Sequence, residues 1–201
     1  MKAAATTIKT LIKNTIYYLF CILTCPIYLS YQLLRLFGSA DSLIAGYSQL
    51  LSLFPGQLGN YIRKTALRFM LSHCDKDSLI AFGVLFSQQD TEIQAGVYIG
   101  PQCNIGKCRI EKNCLLGSGV HIMSGKNQHD FSDINTPIKD QGGNFEKVVI
   151  GEDSWIGNGA LIMANIGKHC IVGAGSVVTH DIEDYCIVTG NPAKIVKKRA
   201  T

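Results

Sequence analysis

From about residue 85 an apolar residue recurs with a period that is mostly six. Ile93, Ile99 and Ile105 are followed by Ile110, Leu116 and Ile122, then by Ile150, Ile156 and Ile162, then by Ile166 and Val172. Glycine often follows the apolar leader, as at Gly100, Gly117, Gly151, Gly157 and Gly173. The fourth residue after the leader is small: Cys103, Cys114, Val120, Ala160, Cys170 or Ser176. A short fixed period means stacked units, none of which buries its apolar face alone. Six residues hold a short strand and a turn, so three hexads close one triangular coil. Leaders stack inward on leaders, and small residues fill the tight interior. Glycine is expected to serve the turns, where it adopts positive φ cheaply. One turn is shortened, because Ile162 and Ile166 are only four residues apart. Cys103, Cys114 and Cys170 fall in the small inward slot and behave there as small hydrophobes.

The rhythm stops between Ile122 and Ile150, over a loop spanning 123–148 that opens with "SGKNQHDFSD". An insertion in a stack of coils must project from a corner, and projecting loops carry function more often than the coils do. His129 stands near the start of this one. His121, on the last hexad before the loop, either lines the same site or is a plain coil residue.

Ahead of the repeats lies a different pattern. Residues 15–34, "TIYYLFCILTCPIYLSYQLL", are twenty residues without a charge, the length of a membrane-crossing helix. Pro26 falls mid-run, where it breaks or kinks a helix. A re-entrant hairpin or an interfacial helix is therefore expected rather than a straight crossing. Within 46–72, "GNYIRKTALRFML" sets Ile62, Ala66, Phe69 and Met70 at helical spacing with Arg63, Lys64 and Arg68 between them. That pattern suits a membrane surface or a helix packed on the main domain. The chain thus divides into a helical, membrane-associated region (1–78, with membrane contact over 15–72) and an all-β repeat domain (79–201).

Composition narrows the reading further. The 201 residues are 47% hydrophobic and 17% charged, so a sizeable core is available. The net charge of +4 is local: Lys2, Lys9 and Lys13 at one end, Lys194, Lys197, Lys198 and Arg199 at the other. This suits anionic lipid or a phosphorylated ligand, and is no basic face for nucleic acid. The eight cysteines contain no C-x-x-C pair, so reduced thiols in a cytosolic compartment are expected.

Residues 148–196, and within them "WIGNGA", "VGAGSVV" and "GNPAK", resemble the hexapeptide-repeat acyltransferases in order and spacing, in particular the galactoside and polysaccharide O-acetyltransferases. The resemblance covers roughly residues 80–199. It implies a left-handed parallel β-helix, although parallel crossovers are otherwise right-handed. It also implies acetyl-coenzyme A as acyl donor and a homotrimer with sites between subunits. His129, in "NQHDF" and 26 residues before Trp155, matches the family's catalytic base; Asp130 and Asp133 are candidates to orient its imidazole. Asn158, Ala174, Thr179 and His180 match positions along the coenzyme, and Lys194 and Lys197 match basic residues near its phosphates. Trp155 matches the family's site tryptophan. His73 has no motif, and His169 is expected at a turn or the surface. No metal is expected, since the H-x-x-x-x-H spacing of the zinc carbonic anhydrases on this helix is absent. The expected function is O-acetylation of a saccharide, a lipid-linked or envelope polysaccharide precursor, at the cytosolic membrane face. N-acetylation of an amino sugar and a non-catalytic membrane scaffold are the alternatives.

Overall fold

The computed structural model describes residues 2–199. Three helices come first: α1 (Lys2–Leu34), α2 (Ala40–Ser52) and α3 (Gly56–Met70). From His73 the chain winds into a parallel β-solenoid of about six turns.

Each coil lays a short strand on each of three faces. The first face stacks His73–Cys74, Glu92–Ile93, Cys108–Ile110 and Val148–Ile150, then continues through bridges at Ile166 and Ile182. The second stacks Leu79–Ile80, Tyr98–Ile99, Leu115–Leu116, Trp155–Ile156, Ile171–Val172 and Cys186–Thr189, and ends in the antiparallel strand Lys194–Lys198. The third stacks Leu85–Phe86, Asn104–Ile105, His121–Ile122, Leu161–Ile162 and Val177–Val178. Leaders pair in register with leaders, as in Ile99 with Leu116 and Ile156 with Val172, and these four are buried.

Two of the three corners keep the six-residue spacing throughout. The third does not. Its leader-to-leader steps run from Phe86 to Ile93, Ile105 to Ile110, Ile122 to Ile150, Ile162 to Ile166 and Val178 to Ile182. The shortened turn and the long loop are thus variants of one corner, the only place where the stack tolerates a change of length.

The glycine after the leader has a different job from the one its spacing suggested. The positive φ falls three residues after the leader, at Gly96, Asn113, Asp153, His169 and Tyr185 on one corner and at Gly83, Gln102, Gly119, Gly159 and Gly175 on the next. The leader's own glycine permits close approach of coils. A Cβ on Gly151 would lie 2.5 Å from the Gly167 carbonyl carbon, and one on Gly157 would lie 2.5 Å from the Ala174 nitrogen.

The small slot is also more polar than expected. Cys103 donates its thiol to the Gly117 carbonyl (3.1 Å), Cys114 to Gly151 (3.1 Å) and Cys170 to Glu183 (3.0 Å), as Ser154 donates its hydroxyl to Gly167 (2.9 Å). Cys186, also buried, occupies the same slot behind Ile182. Burial pushes the Cys114 thiol up to about 12, so it stays a donor and is inert as a nucleophile.

The coil begins earlier than residue 79. Cys74 takes the leader's place opposite Ile93, and Ala81 and Ser87 follow Ile80 and Phe86 where glycine was the marker. The helices cover this open end. Ser48 of α2 accepts from the Phe86 N–H (3.1 Å), and Asn60 of α3 accepts from the Ile80 N–H (3.1 Å). Arg63, only 1% exposed, donates to the carbonyls of Ile80 (2.8 Å) and Phe54 (2.6 Å). These contacts satisfy backbone groups that an uncovered sheet edge would leave bare.

One pair of alternatives narrows and one sequence expectation changes accordingly. The basic residues of α3 do not all face outward: Arg63 and Lys64 are buried, with Lys64 Nζ 4.2 Å from the Tyr61 ring centre, and only Arg68 is exposed. α3 is the packing helix of the two alternatives. Nor does Pro26 break α1, which runs continuously with the proline inside it; there is no hairpin.

Candidate active site

The long loop leaves the variable corner after Ile122 and re-enters at Val148. Its two arms run side by side. The Glu146 N–H donates to the Ser124 carbonyl (3.0 Å), Asn144 to Asn127 (2.8 Å) and Asp130 to Gly142 (3.1 Å). Gly143 carries the returning arm past His129 with φ +152°, and a Cβ there would lie 2.0 Å from the Gln128 oxygen and 2.8 Å from the His129 nitrogen. The backbone of His129 is therefore set by a residue that must be glycine.

The foot of the returning arm is tied to the coils. Lys147 pairs with Asp90 (2.5 Å) and Glu92 (2.8 Å), and Arg109 pairs with Glu92 (2.8 Å). The bond from Lys147 holds the Asp90 carboxyl below its usual range; Arg109, then Lys147, do the same for Glu92. At the tip, Asp133 accepts from the Asn135 N–H (2.8 Å) and the Thr136 hydroxyl (2.7 Å). Its carboxylate is committed to this turn and does not orient His129. Asp130 likewise makes no side-chain bond to His129. The imidazole is exposed and has no hydrogen-bond partner among the described residues.

His121 points outward from the third face, its Nδ1 3.4 Å from Asn104 Nδ2. Both line a cleft of about 300 Å³ between that face and α2, closed on the loop side by Ser124 and Gln128, the neighbour of His129. Gln49 of α2 and Ser87 add polar groups to the wall. Sequence reasoning missed the α2 wall, because nothing local tells a helix which coil it will cover.

The residues matched to the coenzyme divide between the ends of the same face. Asn158 and Ala174 stand at one corner, where Asn158 Oδ1 accepts from the Ser118 N–H (3.1 Å). Thr179 and His180, with Thr179 Oγ1 2.9 Å from His180 Nδ1, stand at the variable corner. They line a hollow of about 230 Å³ with Lys126 and Glu146 from the foot of the loop. Lys194 and Lys197 are exposed on the last strand, which pairs on the second face with Cys186–Thr189; just ahead of it the Ala193 N–H donates to the Val177 carbonyl of the third (2.8 Å). Trp155 lies apart, on the second face, in an exposed ladder with Tyr98 and Leu115. His169 belongs to a turn cluster, bonded to Asp153 (2.9 Å) and stacked on Tyr185. Among the described residues no cluster of three or more potential metal ligands occurs.

Coils, loop and corner spacing together define a hexapeptide-repeat β-solenoid. Residues 147–180 match the family model "Bacterial transferase hexapeptide (six repeats)". A probable acetyltransferase of Mycobacterium tuberculosis is 45% identical over 73 residues, 35% of this chain. The match spans about a quarter of that relative's length (24%). Among solved structures, a maltose O-acetyltransferase from Clostridium difficile superposes with TM-score 0.54 at 22% identity, over 82% of this chain and 90% of that one. AntD, an N-acyltransferase from Bacillus cereus in complex with dTDP-4-amino-4,6-dideoxyglucose and coenzyme A, superposes with TM-score 0.52 at 18% identity, over 62% of this chain and 71% of that one. At these identities the structural likeness is one of fold.

Proposed function

We propose that the protein is a coenzyme A-dependent O-acyltransferase that moves an acetyl group onto a saccharide hydroxyl, with His129 as general base. The observation that carries this reading is the layout of the third face. A cleft that carries Gln49, Asn104, His121 and Gln128 among apolar walls sits on its upper coils, the coenzyme-matching residues bound its lower coils, and the loop bearing His129 projects between them. The acetyltransferase relative and the coenzyme A-bound N-acyltransferase neighbour support the reaction class.

A sugar hydroxyl is a weak nucleophile at neutral pH. As its oxygen bonds to the thioester carbonyl carbon, the imidazole takes the proton, a contribution of typically 10²–10⁴-fold. The tetrahedral oxyanion calls for N–H donors. Collapse breaks the C–S bond, and the departing sulfur, with a thiol pKa near ~8–9, takes the proton back from the imidazole. Asn158, Ala174, Thr179 and His180 hold the pantetheine and Lys194 and Lys197 the phosphates of the donor; the cleft around Asn104, His121 and Gln128 takes the acceptor.

The working form is a homotrimer. Supporting it, the loop exposes Phe131 (76%) and Ile134 (93%), and the second face exposes its Tyr98–Leu115–Trp155 ladder; both suit contact with another copy. The chain works at the cytosolic membrane face, where acyl-coenzyme A is available, on a lipid-linked or envelope saccharide precursor. N-acylation of an amino sugar is the second reading, favoured by the amino-sugar nucleotide bound to the AntD neighbour.

The test is thiol release from acetyl-coenzyme A by the purified protein with free, nucleotide-linked and lipid-linked sugars. Acceptor-dependent release giving a hydroxylamine-labile ester supports O-transfer, a hydroxylamine-stable product supports N-transfer, and coenzyme binding without transfer to any acceptor favours a scaffold.

A further inference from the structure

Length does not decide how α1 meets a membrane: residues 15–34 measure roughly 30 Å as a helix, the thickness of a hydrocarbon core. Its contacts do decide. One side of α1 is fastened along its length to the layer that caps the coil. Lys13 pairs with Asp77 of the first coil (2.9 Å), Phe20 stacks on Tyr61, Thr24 meets the Thr65 hydroxyl (3.3 Å), and Ser30 bonds Tyr47 of α2 (2.6 Å). The buried positions Tyr17, Thr24 and Tyr31 recur every seven residues and form one narrow stripe.

The opposite stripe is apolar and bare. Leu19, Ile22, Leu23, Leu29 and Leu33 are each at least 60% exposed. The turn after the helix extends the patch with Leu36 (75%) and Phe37 (83%). Seven large apolar side chains in one run far exceed the scattered apolar exposure of a soluble surface. No acid interrupts it in the sequence: the charged residues before Asp41 are all basic, and one of them, Lys13, is turned to Asp77 of the first coil. An apolar stripe in a basic, acid-free stretch of chain complements an anionic lipid surface.

We propose that α1 lies in the plane of an anionic bilayer, with its Leu19–Leu33 stripe in the lipid and both of its ends on the same side as the coil. This rests on the membrane reading above and adds its geometry. Crossing the bilayer would either strip α1 from α3 or drag the buried Arg63 and Lys64, and the first coil with them, into hydrocarbon, where charge is costly. In-plane docking avoids both. It also leaves the acceptor cleft one helix away from lipid, since α2 lines the cleft with Ser48 and Gln49 and faces α1 with Leu43 and Leu50.

The full-length protein is tested on vesicles of phosphatidylglycerol and phosphatidylcholine. Flotation is expected with the anionic vesicles and at least a tenfold loss in Ile22→Lys/Leu29→Lys, with unchanged circular dichroism. Asn14→Cys and Gly38→Cys, each in a Cys21→Ala/Cys25→Ala background, are then treated on the vesicles with a membrane-impermeant maleimide. Both are expected to react from the outside. Flotation with only one of them reactive overturns in-plane docking and leaves the membrane reading standing. Flotation untouched by the two lysines overturns the assignment of this stripe. Failure of the parent to float overturns the membrane reading itself, and concentration-dependent self-association of that non-floating protein assigns the stripe to a second copy.

Discussion

Replacing Arg63 by alanine isolates the contact that fixes the helices to the coil. The side chain is 1% exposed and gives close hydrogen bonds to the buried Ile80 carbonyl and the part-buried Phe54 carbonyl, with a longer third to the buried Leu51 carbonyl (3.4 Å). Burial brings its pKa down to about 10, still far above neutrality, so the donor is charged. Bonds from a charged donor contribute about 1.5–3 kcal/mol each, and an orphaned buried acceptor costs about 1–3 kcal/mol. The guanidinium's own desolvation, relieved in the variant, offsets part of this. A net loss of about 2–4 kcal/mol results, or roughly 5–15 °C in Tm for a chain of this size. The two layers can be watched separately in mild detergent: ellipticity at 222 nm follows the helices, and the fluorescence of Trp155, the only tryptophan in the sequence, follows the coil. Arg63→Ala is expected to lower the helical transition more than the coil transition, while exposed Arg68→Ala moves neither by more than about 0.5 kcal/mol. A Tm for Arg63→Ala within 2 °C of the parent would refute the pinning argument.

Gly143→Ala should leave Tm within a few degrees, because the loop lies outside the core, yet cut acetyl transfer at least tenfold by displacing the backbone of His129; steady-state kinetics beside a melting curve check this. Gly151→Ala should destabilise by about 1–3 kcal/mol through coil–coil overpacking, whereas Gly46→Ala, mid-helix with nothing within 4 Å of its added Cβ, should stabilise by about 0.5–1 kcal/mol; urea titrations give both signs. The ion pairs at the foot of the loop set an acid limb. Asp90 and Glu92 have folded pKa values below their ordinary 3.8 and 4.5, so their contribution is present above those values and fades as pH falls through the folded ones. Lys147 feels desolvation downward, but its bonds to Asp90 and Glu92 outweigh it and raise the pKa above 10.5. Its contribution is present below that value and is lost only as pH rises past it. Stability measured from pH 5 to 9 should therefore be insensitive to these groups, and Lys147→Met should flatten the acid limb below pH 4.5.

The coils were legible because their signal is local and repeated: an isoleucine every six residues survives as a stack of isoleucines. Handedness came only from resemblance. The first coil was not legible, since Cys74, Ala81 and Ser87 replace its markers while its register is imposed by the coil below. Glycine was found at the right places for the wrong reason, since the clash that requires it at Gly157 comes from a residue one coil on, out of reach of a pattern read along one hexad. The loop and His129 announced themselves by interrupting the period, but what holds them did not. Lys147 is tied to partners 55 and 57 residues away, and Asp130 and Asp133, one and four residues from the histidine, leave it alone. The same holds for α3: its pattern suited lipid and packing alike, and only tertiary contacts show Arg63 turned inward to cap a sheet edge.

The most direct test of the central claim is single-turnover acetyl transfer by His129→Ala beside the parent and His121→Ala, with coenzyme A affinity measured in parallel. The account expects His129→Ala to lose 10²–10⁴-fold in the transfer step with coenzyme A binding unchanged, and His121→Ala to weaken acceptor binding with a smaller effect on that step. Transfer by His129→Ala at the parent's rate would contradict it.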